Sequence, residues 1–186
     1  MRLFLAVLLP EDLKEALGHL ITELSGTGAS VKWVDPGNVH LTLKFLGEVE
    51  QWREPVIYEV SRLAAKEVKP FRLKVENVGA FPSLKRPRVI WVGVGHSSHM
   101  ATLHSRIEEG FQRIGFHLEK RAWTPHLTIG RVKGTWRLKS LESKLAQSHF
   151  APYTFRVSGI HLVKSTLRPE GPIYTTLRNI PLETHE

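Results

Sequence analysis

The apolar positions of the chain follow two periods, one typical of strands and one typical of amphipathic helices. Continuous or alternating apolar runs predict strands at residues 2–8, 31–34, 39–46, 71–76, 88–94, 117–122, 126–132, 153–163 and 173–180. Apolar residues at three- and four-residue spacing predict helices at residues 11–25, 52–67, 100–114 and 138–147. Gly26 and Gly115 follow two of these helices and mark their ends.

The order of these elements repeats in outline with a period of about 85 residues, which is too long for a solenoid. Strand–helix–strand patterns occur in both halves of the chain, and the strands have one polar face. We therefore predict an α+β fold with two lobes related by a pseudo-two-fold axis. Each lobe is expected to have an antiparallel sheet with flanking helices, and the two lobes are expected to intertwine within one domain, residues 1–186. A cleft between them would be a natural ligand site.

Composition narrows the possible functions. The chain contains no cysteine, which excludes disulfides, thiolate nucleophiles and cysteine-bound zinc. Residues 2–8 are followed at once by Pro10 and two acidic residues, so we interpret them as a buried strand rather than a signal peptide. With no long apolar run, the protein is expected to be soluble, cytoplasmic and away from membranes. The formal net charge of +8 favours a polyanionic partner.

A short motif occurs twice, as His40-Leu-Thr42 and as His126-Leu-Thr128, each time within a predicted strand. Composition alone predicts roughly 0.08 such triplets in this chain, so two copies at matching places in the repeat are not expected by chance. Because side chains alternate along a strand, each histidine shares a face with its threonine. Leu41, together with Leu43 and Phe45, is expected to point into the core instead.

Two imidazoles and two hydroxyls on the walls of one cleft fit phosphodiester hydrolysis. One histidine can activate water as a base, and the other can protonate the departing oxygen as an acid. The threonine hydroxyls can donate hydrogen bonds to the phosphate oxygens. Neither a metal nor another cofactor is expected, because no carboxylate cluster is present to hold a metal. The alternative is that both histidines are ordinary polar residues on a sheet surface.

Longer segments around both motifs resemble the two-histidine (2H) phosphoesterases, specifically the RNA 2′,3′-cyclic phosphodiesterases, also called 2′-5′ RNA ligases. The segments that carry the resemblance are VKWVDPGNVHLTLKFLG at 31–47, FPSLKRPRVIWVG at 81–93, RAWTPHLTIGR at 121–131 and STLRPEGPIY at 165–174. The resemblance implies a bilobal fold with both motifs facing a central cleft. It also implies that a terminal 2′,3′-cyclic phosphate of RNA, or of a cyclic nucleotide, is opened to a 2′-phosphomonoester.

The resemblance further implies that His40 is the proton donor and His126 the proton acceptor, although the repeat is nearly symmetric. Reverse 2′-5′ ligation would use the same residues and is expected to be the weaker activity. We expect a monomer. Two rival functions remain open: an RNA-binding module without significant catalysis, and an enzyme acting on a small cyclic nucleotide or an ADP-ribose cyclic phosphate.

Arg131 closes the second motif and is a candidate to clamp the phosphate with Thr42 and Thr128. Strict alternation places Arg131 on the wrong face, so this role requires a bulge or twist near Gly130. Lys44 has the same parity as His40 and is a weaker candidate.

Further candidates have structural interpretations that we prefer. The aromatic residues that could stack a base are more often core or cleft wall: Trp33, Phe81, Trp91 and Trp123. Ser165 and Tyr174 are expected mainly to hold a C-terminal hairpin. His96 and His99 have a metal-like spacing, but no acidic residue adjoins them, so a loop and helix cap is the better interpretation.

Overall fold

The structure is a computed structural model of the chain and describes residues 1–183. Within this range the four α-helices are α1 (Glu11–Ser25), α2 (Glu54–Ala65), α3 (Ser98–Arg113) and α4 (Leu138–Gln147). The nine strands of the same range are β1 (Arg2–Leu8), β2 (Val31–Trp33), β3 (His40–Glu48), β4 (Phe71–Ser83), β5 (Arg86–Val94), β6 (His126–Val132), β7 (Tyr153–Val157), β8 (Gly159–Thr166) and β9 (Ile173–Pro181). Short 3-10 turns precede β3 and α2, at Pro36–Asn38 and Gln51–Arg53.

The helices form where the apolar period predicts them, with shifts in the bounds of α2 and α3. Helix α1 and helix α4 have the predicted limits, and α3 ends before Gly115, whose φ of +92° suits a residue without a side chain. Helix α2 is shorter than predicted because Pro55 lies in its first turn and Glu67 has left-handed backbone geometry. None of the helices within residues 1–183 is long and apolar enough to cross a membrane.

All of these strands belong to one antiparallel sheet. Its order is β7-β4-β5-β6-β3-β1-β8-β9, and the short β2 pairs with β6. One half, β3-β1-β8-β9, combines the N-terminal and C-terminal strands, whereas the other half comes from the middle of the chain plus β2. The prediction of an α+β fold with an antiparallel sheet in each half is confirmed, and the two halves join directly where β3 meets β6.

Three predicted strands differ from the structure, the first being β4, which is predicted to end at residue 76 and continues to Ser83. Residues 117–122 form no strand: all six side chains are exposed, and the segment pairs with no neighbouring strand in the described chain. The single strand predicted at 153–163 is two strands, β7 and β8, separated by Ser158. Strand β7 lies at one edge of the sheet, whereas β8 lies in the other half, between β1 and β9. Apolar alternation alone does not reveal such a crossing, since both strands continue the same pattern.

The main hydrophobic core lies between the helices and one face of the sheet. Leu41, Leu127 and Ile129 are almost completely buried there. A second, smaller apolar cluster of Phe4, Ala6 and Val163 is separate from this core. Ala6 pairs with Thr42, so this cluster lies on the opposite face of the sheet, which also carries the first motif's polar residues. We call this second face, with His40, Thr42, His126 and Thr128, the motif face.

Candidate active site

The two motifs meet at one pair of residues in the centre of the sheet. Leu41 of β3 pairs with Leu127 of β6, and within residues 1–183 no other pair joins these two strands. Because the strands are antiparallel, this register sets His40 alongside Thr128 and Thr42 alongside His126. The pseudo-two-fold axis therefore passes through the Leu41–Leu127 pair, with two histidines and two threonines around it on one face.

Both histidines are held in the same way. The Nδ1 atom of His40 lies 2.7 Å from the backbone carbonyl of Asn38, and Nδ1 of His126 lies 2.7 Å from the carbonyl of Thr124. A carbonyl oxygen only accepts hydrogen bonds, so each Nδ1 must carry the proton. Each Nε2 is then the reactive nitrogen: a base when the ring is neutral and an acid when the ring is charged.

Aromatic rings surround His40. Its imidazole stacks on Phe4 at 4.7 Å between centroids and meets the ring of Tyr174 edge-on at 5.3 Å. The Nε2 atom is 3.0 Å from the hydroxyl of Thr42. Burial lowers the pKa of His40 from its ordinary value, and the hydrogen bond to the Asn38 carbonyl opposes this shift. His40 is therefore biased toward the neutral ring.

His126 lies in a more open setting. Its ring meets Phe81 edge-on at 5.0 Å, which is the counterpart of the Tyr174 contact at His40. Phe81 comes from β4, two strands away from β6 in the sheet. The two histidines thus have similar backbone anchors but different surroundings.

The sheet curls around the motif face. In a flat sheet, three strand spacings would separate β9 from β3 by about 14 Å, and upright side chains would not touch. Tyr174 of β9 nevertheless contacts His40 of β3. The pKa of Tyr174 is raised, mainly by burial, and the charges of Arg131 from the other half and of Arg2 from the same half oppose this shift. The predicted cleft between the halves is therefore present as the concave side of one curled sheet.

Arg131 reaches the motif face through a β-bulge. Trp91 pairs with Thr128 and Ile90 pairs with Gly130, so β6 has one extra residue, Ile129. Both Ile129 and Gly130 are buried on the core side, and the next residue, Arg131, is exposed on the motif face. Strand β6 therefore has the bulge that the phosphate-binding role of Arg131 requires, and the role itself stays a prediction.

An equivalent bulge in β3 overturns the prediction for Lys44 and Phe45. Ala6 pairs with Thr42 and Leu5 pairs with Lys44, so Leu43 is the extra residue. Lys44 is consequently buried on the core side, where its ammonium lies 2.8 Å from Glu108. Phe45, predicted to be in the core, is 65% exposed on the motif face instead.

Sequence reasoning did not identify two residues of this face. Arg2 pairs with Ser165, which pairs in turn with Tyr174, so the three form a row across β1, β8 and β9. Phe4 lies two residues further along β1, where its ring stacks on the imidazole of His40. Strand alternation does not single out Phe4, because residues 3–8 are apolar on both faces, and Arg2 is a single charge at the start of that strand.

The other aromatic candidates are parts of walls and packing layers. Trp33 covers Gly130, and Trp91 covers Gly79, where an added Cβ would overlap the indole. Trp123 stacks on His104 with 4.0 Å between centroids. The Ser97 hydroxyl accepts a hydrogen bond from the Met100 N–H at the start of α3, as predicted for a helix cap. His99 stacks on Phe71 with 5.7 Å between ring centroids.

Comparison with known proteins identifies the family. Residues 10–168 match the model of the 2′-5′ RNA ligase superfamily. The chain belongs to this superfamily. Superfamily relatives named RNA 2′,3′-cyclic phosphodiesterase include one from Methanothermobacter thermautotrophicus, 36% identical over 95% of this chain and 96% of the relative. Another, from Archaeoglobus fulgidus, is 37% identical over 96% of this chain and 98% of the relative.

Solved structures share the superfamily fold. A crystal structure of a Thermus thermophilus protein superposes with a TM-score of 0.81 at 29% identity and covers 98% of each chain. E. coli LigT in complex with 3′-AMP superposes with a TM-score of 0.79 at 23% identity, again over 98% of each chain. The curled sheet with its two joined halves is thus the arrangement that these proteins share.

Proposed function

We propose that the protein hydrolyses the 2′,3′-cyclic phosphate at the end of an RNA strand to a 2′-phosphomonoester. The observation that carries this proposal is the paired site: two imidazoles, each with Nδ1 bound to a backbone carbonyl, flank one central residue pair on the motif face. The relatives named RNA 2′,3′-cyclic phosphodiesterase, at 32–37% identity over most of the chain, support the same activity.

In the proposed reaction, His126 is the base and His40 is the acid. Nε2 of neutral His126 takes a proton from water as the water oxygen attacks phosphorus. Nε2–H of charged His40 gives a proton to the 3′-oxygen as its bond to phosphorus breaks. The product carries a 2′-phosphate and a free 3′-hydroxyl, and the two rings have exchanged protonation states.

The phosphate oxygens would be held by Thr42, Thr128 and Arg131. Negative charge builds on the non-bridging oxygens in the transition state, and donors fixed in advance lower its energy. The bulge at Ile129 directs the Arg131 guanidinium to this face, where its planar N–H groups suit two phosphate oxygens at once.

The lowered pKa of His40 is compatible with its role as acid. An acid with a lowered pKa gives up its proton more readily, and the anionic phosphate of the bound substrate favours the charged ring. The substrate itself would therefore help to protonate His40. Because His126 must be neutral and His40 charged at the same time, kcat/KM should depend on pH in a bell-shaped manner.

The reverse reaction, in which a 5′-hydroxyl of another RNA strand replaces water and forms a 2′-5′ linkage, would use the same residues. We expect it to be the weaker activity. We also propose that residues 1–186 act as one domain and as a cytoplasmic monomer.

The direct test is incubation of an oligonucleotide ending in a 2′,3′-cyclic phosphate with the wild type and with His40→Ala and His126→Ala. Each variant should lose roughly 10²–10⁴-fold in turnover, the usual contribution of general acid–base catalysis. His19→Ala is a matched control, because the His19 side chain is 80% exposed on α1. Activity should persist in chelator, and the product should be the 2′-phosphate. Full activity in both motif variants would refute the proposal.

The same experiment separates the rival functions. An RNA-binding module would bind RNA in a salt-dependent manner, would retain this affinity in His40→Ala and would show no turnover in the wild type. An enzyme for small cyclic nucleotides would gain nothing from a longer RNA, whereas an RNA enzyme should gain from the additional contacts.

A further inference from the structure

The carbonyl that holds His126 lies on a segment with no regular secondary structure. Nδ1 of His126 lies 2.7 Å from the Thr124 carbonyl oxygen, and residues 121–125 form neither a helix nor a strand. Pro125 restricts Thr124 to extended backbone geometry, so the remaining freedom of this carbonyl is set by the residues before it. The position of the proposed base therefore depends on what holds Trp123.

A ring of helix α3 holds Trp123. The indole lies flat against the imidazole of His104, with 4.0 Å between ring centroids and 4° between ring planes. The His104 side chain is only 14% exposed, and its Nε2 atom lies 3.9 Å from the carboxylate of Glu108, which is the partner of Lys44. The indole also packs against the main core. Because Trp123 immediately precedes Thr124, this contact fixes the backbone next to the anchoring carbonyl.

The anchor of His40 is built differently. The Asn38 carbonyl belongs to the 3-10 turn Pro36–Asn38, and the Asn38 side chain donates a hydrogen bond to the Pro172 carbonyl at 3.0 Å. Between α3 and β6 the described chain has no such turn. The ring stack therefore does for the second motif what the turn does for the first.

We infer that the stack of His104 on Trp123 positions the proposed base, because it fixes the Thr124 carbonyl that orients His126. This inference rests on the proposed function and adds a positioning residue, His104, to it. The carbonyl keeps the ring proton on Nδ1, which leaves Nε2 free to take a proton from water. Once the carbonyl is displaced, the tautomer with its proton on Nε2 becomes populated, and this tautomer is not a base at that atom.

The first test is kinetic. His104→Ala should lower kcat for adenosine 2′,3′-cyclic phosphate roughly 10- to 100-fold, since a small displacement of a catalytic group is enough for such a loss. KM should change little, because the lost contact affects proton transfer rather than ground-state binding. His104→Phe retains a flat ring and should retain most of the activity.

Helix α3 offers a matched control. His99 also stacks on an aromatic ring, that of Phe71, whose strand β4 pairs with the edge strand β7. His99→Ala should therefore leave kcat unchanged although it removes a similar contact from the same helix. Thermal unfolding shows whether each variant is folded at the assay temperature.

The second test reads the ring of His126 directly and requires no turnover. Nitrogen NMR signals of a histidine ring report its tautomer, and the spectrum of His126→Ala identifies the signals that belong to His126. In the wild type the neutral ring should carry its proton on Nδ1, and in His104→Ala the tautomer with the proton on Nε2 should gain population. A loss of kcat with an unchanged tautomer would indicate a merely structural role and overturn the inference, and so would full activity in His104→Ala.

Two further variants keep the test decisive. His104→Leu fills the space without a flat ring, and it should show the same loss of kcat and the same change of tautomer if His104→Ala does not fold. The double variant His104→Ala/Trp123→Ala should lose no more activity than His104→Ala, since both changes remove one contact, whereas additive losses would contradict the inference. If the wild type hydrolyses no cyclic phosphate, the proposed function fails, while the tautomer of His126 still decides the role of His104.

Discussion

The ammonium of Lys44 lies 2.8 Å from the carboxylate of Glu108, and both side chains are largely buried, with 6% and 13% exposure. Lys44 also donates to the backbone carbonyl of His117, while Glu108 accepts from the N–H of Glu119. This ion pair connects the strand of the first motif to the segment that leads into the second. It thus helps to hold residues 117–122, which no strand pairing supports.

Removing one partner of this pair should be costly. Lys44→Met would leave the Glu108 carboxylate buried without its counter-ion, and we expect a loss of about 3–5 kcal/mol in the free energy of unfolding. The double variant Lys44→Met/Glu108→Leu should lose much less, since no uncompensated charge remains. Urea denaturation of the single and double variants measures the difference.

An exposed ion pair provides the control for this prediction. Arg62 and Glu59 pair on the surface of α2, with 46% and 49% exposure, so Arg62→Met should change stability far less than Lys44→Met. Equal losses in Lys44→Met and in the double variant would show that the pair is not what stabilises this region.

The titration of His40 should differ between the free and the ligand-bound protein. Burial against Phe4 lowers the pKa of His40 below its ordinary value of 6.5, so its ring resonance should titrate below that pH in NMR spectra. Phe4→Ala opens the ring to water and should raise the pKa toward 6.5. Bound phosphate should raise it as well. A resonance in the free wild type that titrates at or above 6.5 would contradict this.

The same shift affects stability in a defined direction. Because the folded pKa is lowered, the unfolded chain binds more protons, and the contribution of His40 to stability is complete above pH 6.5. It is lost as the pH falls from 6.5 through the folded pKa. The wild type should therefore lose more stability between about pH 7.5 and pH 5 than His40→Gln does. Thermal unfolding of both proteins across this range measures the effect.

The Arg131 guanidinium should matter for transition-state binding. Arg131→Met removes charge-assisted hydrogen bonds worth about 1.5–3 kcal/mol, so kcat/KM for a cyclic-phosphate substrate should fall roughly 10- to 150-fold. Arg131→Lys retains the charge but not the planar pair of donors, and it should recover only part of the loss. Complete recovery in the lysine variant would show that charge alone is required.

A side chain at Gly79 should be destabilising while Trp91 is present. A Cβ at Gly79 would overlap the Trp91 ring, so Gly79→Ala must displace the indole beside Thr128. We expect a loss of about 1–3 kcal/mol, the usual cost of overpacking. In a Trp91→Val background the same glycine change should cost little. If Gly79→Ala costs the same in both backgrounds, as measured by chemical denaturation, then the contact with Trp91 is not the cause.

Local patterns predicted most of the secondary structure. Helices α1 and α4 have the predicted bounds because their apolar spacing and end signals are contained in the segments themselves. The strand predicted at 117–122 is wrong for the opposite reason. Its residues are strand-like, but a strand needs a neighbour, and that segment is held by the side chains of Lys44 and Glu108 instead.

The amino-acid sequence alone establishes that His40 shares a face with Thr42, and His126 with Thr128, since alternation along a strand is a local property. That the His40/Thr42 face and the His126/Thr128 face form one surface follows from the fold. The register at Leu41 and Leu127 depends on pairing between distant segments, which no local pattern encodes.

The fold also sets the direction of the side chains that follow Thr42 and Thr128 along their strands. One extra residue in β3 and one in β6 reverse the alternation, turning Lys44 inward and both Phe45 and Arg131 outward. A bulge forms when the hydrogen bonds and packing of neighbouring strands favour it over regular pairing. Its position is therefore a property of the folded sheet rather than of the strand's own sequence.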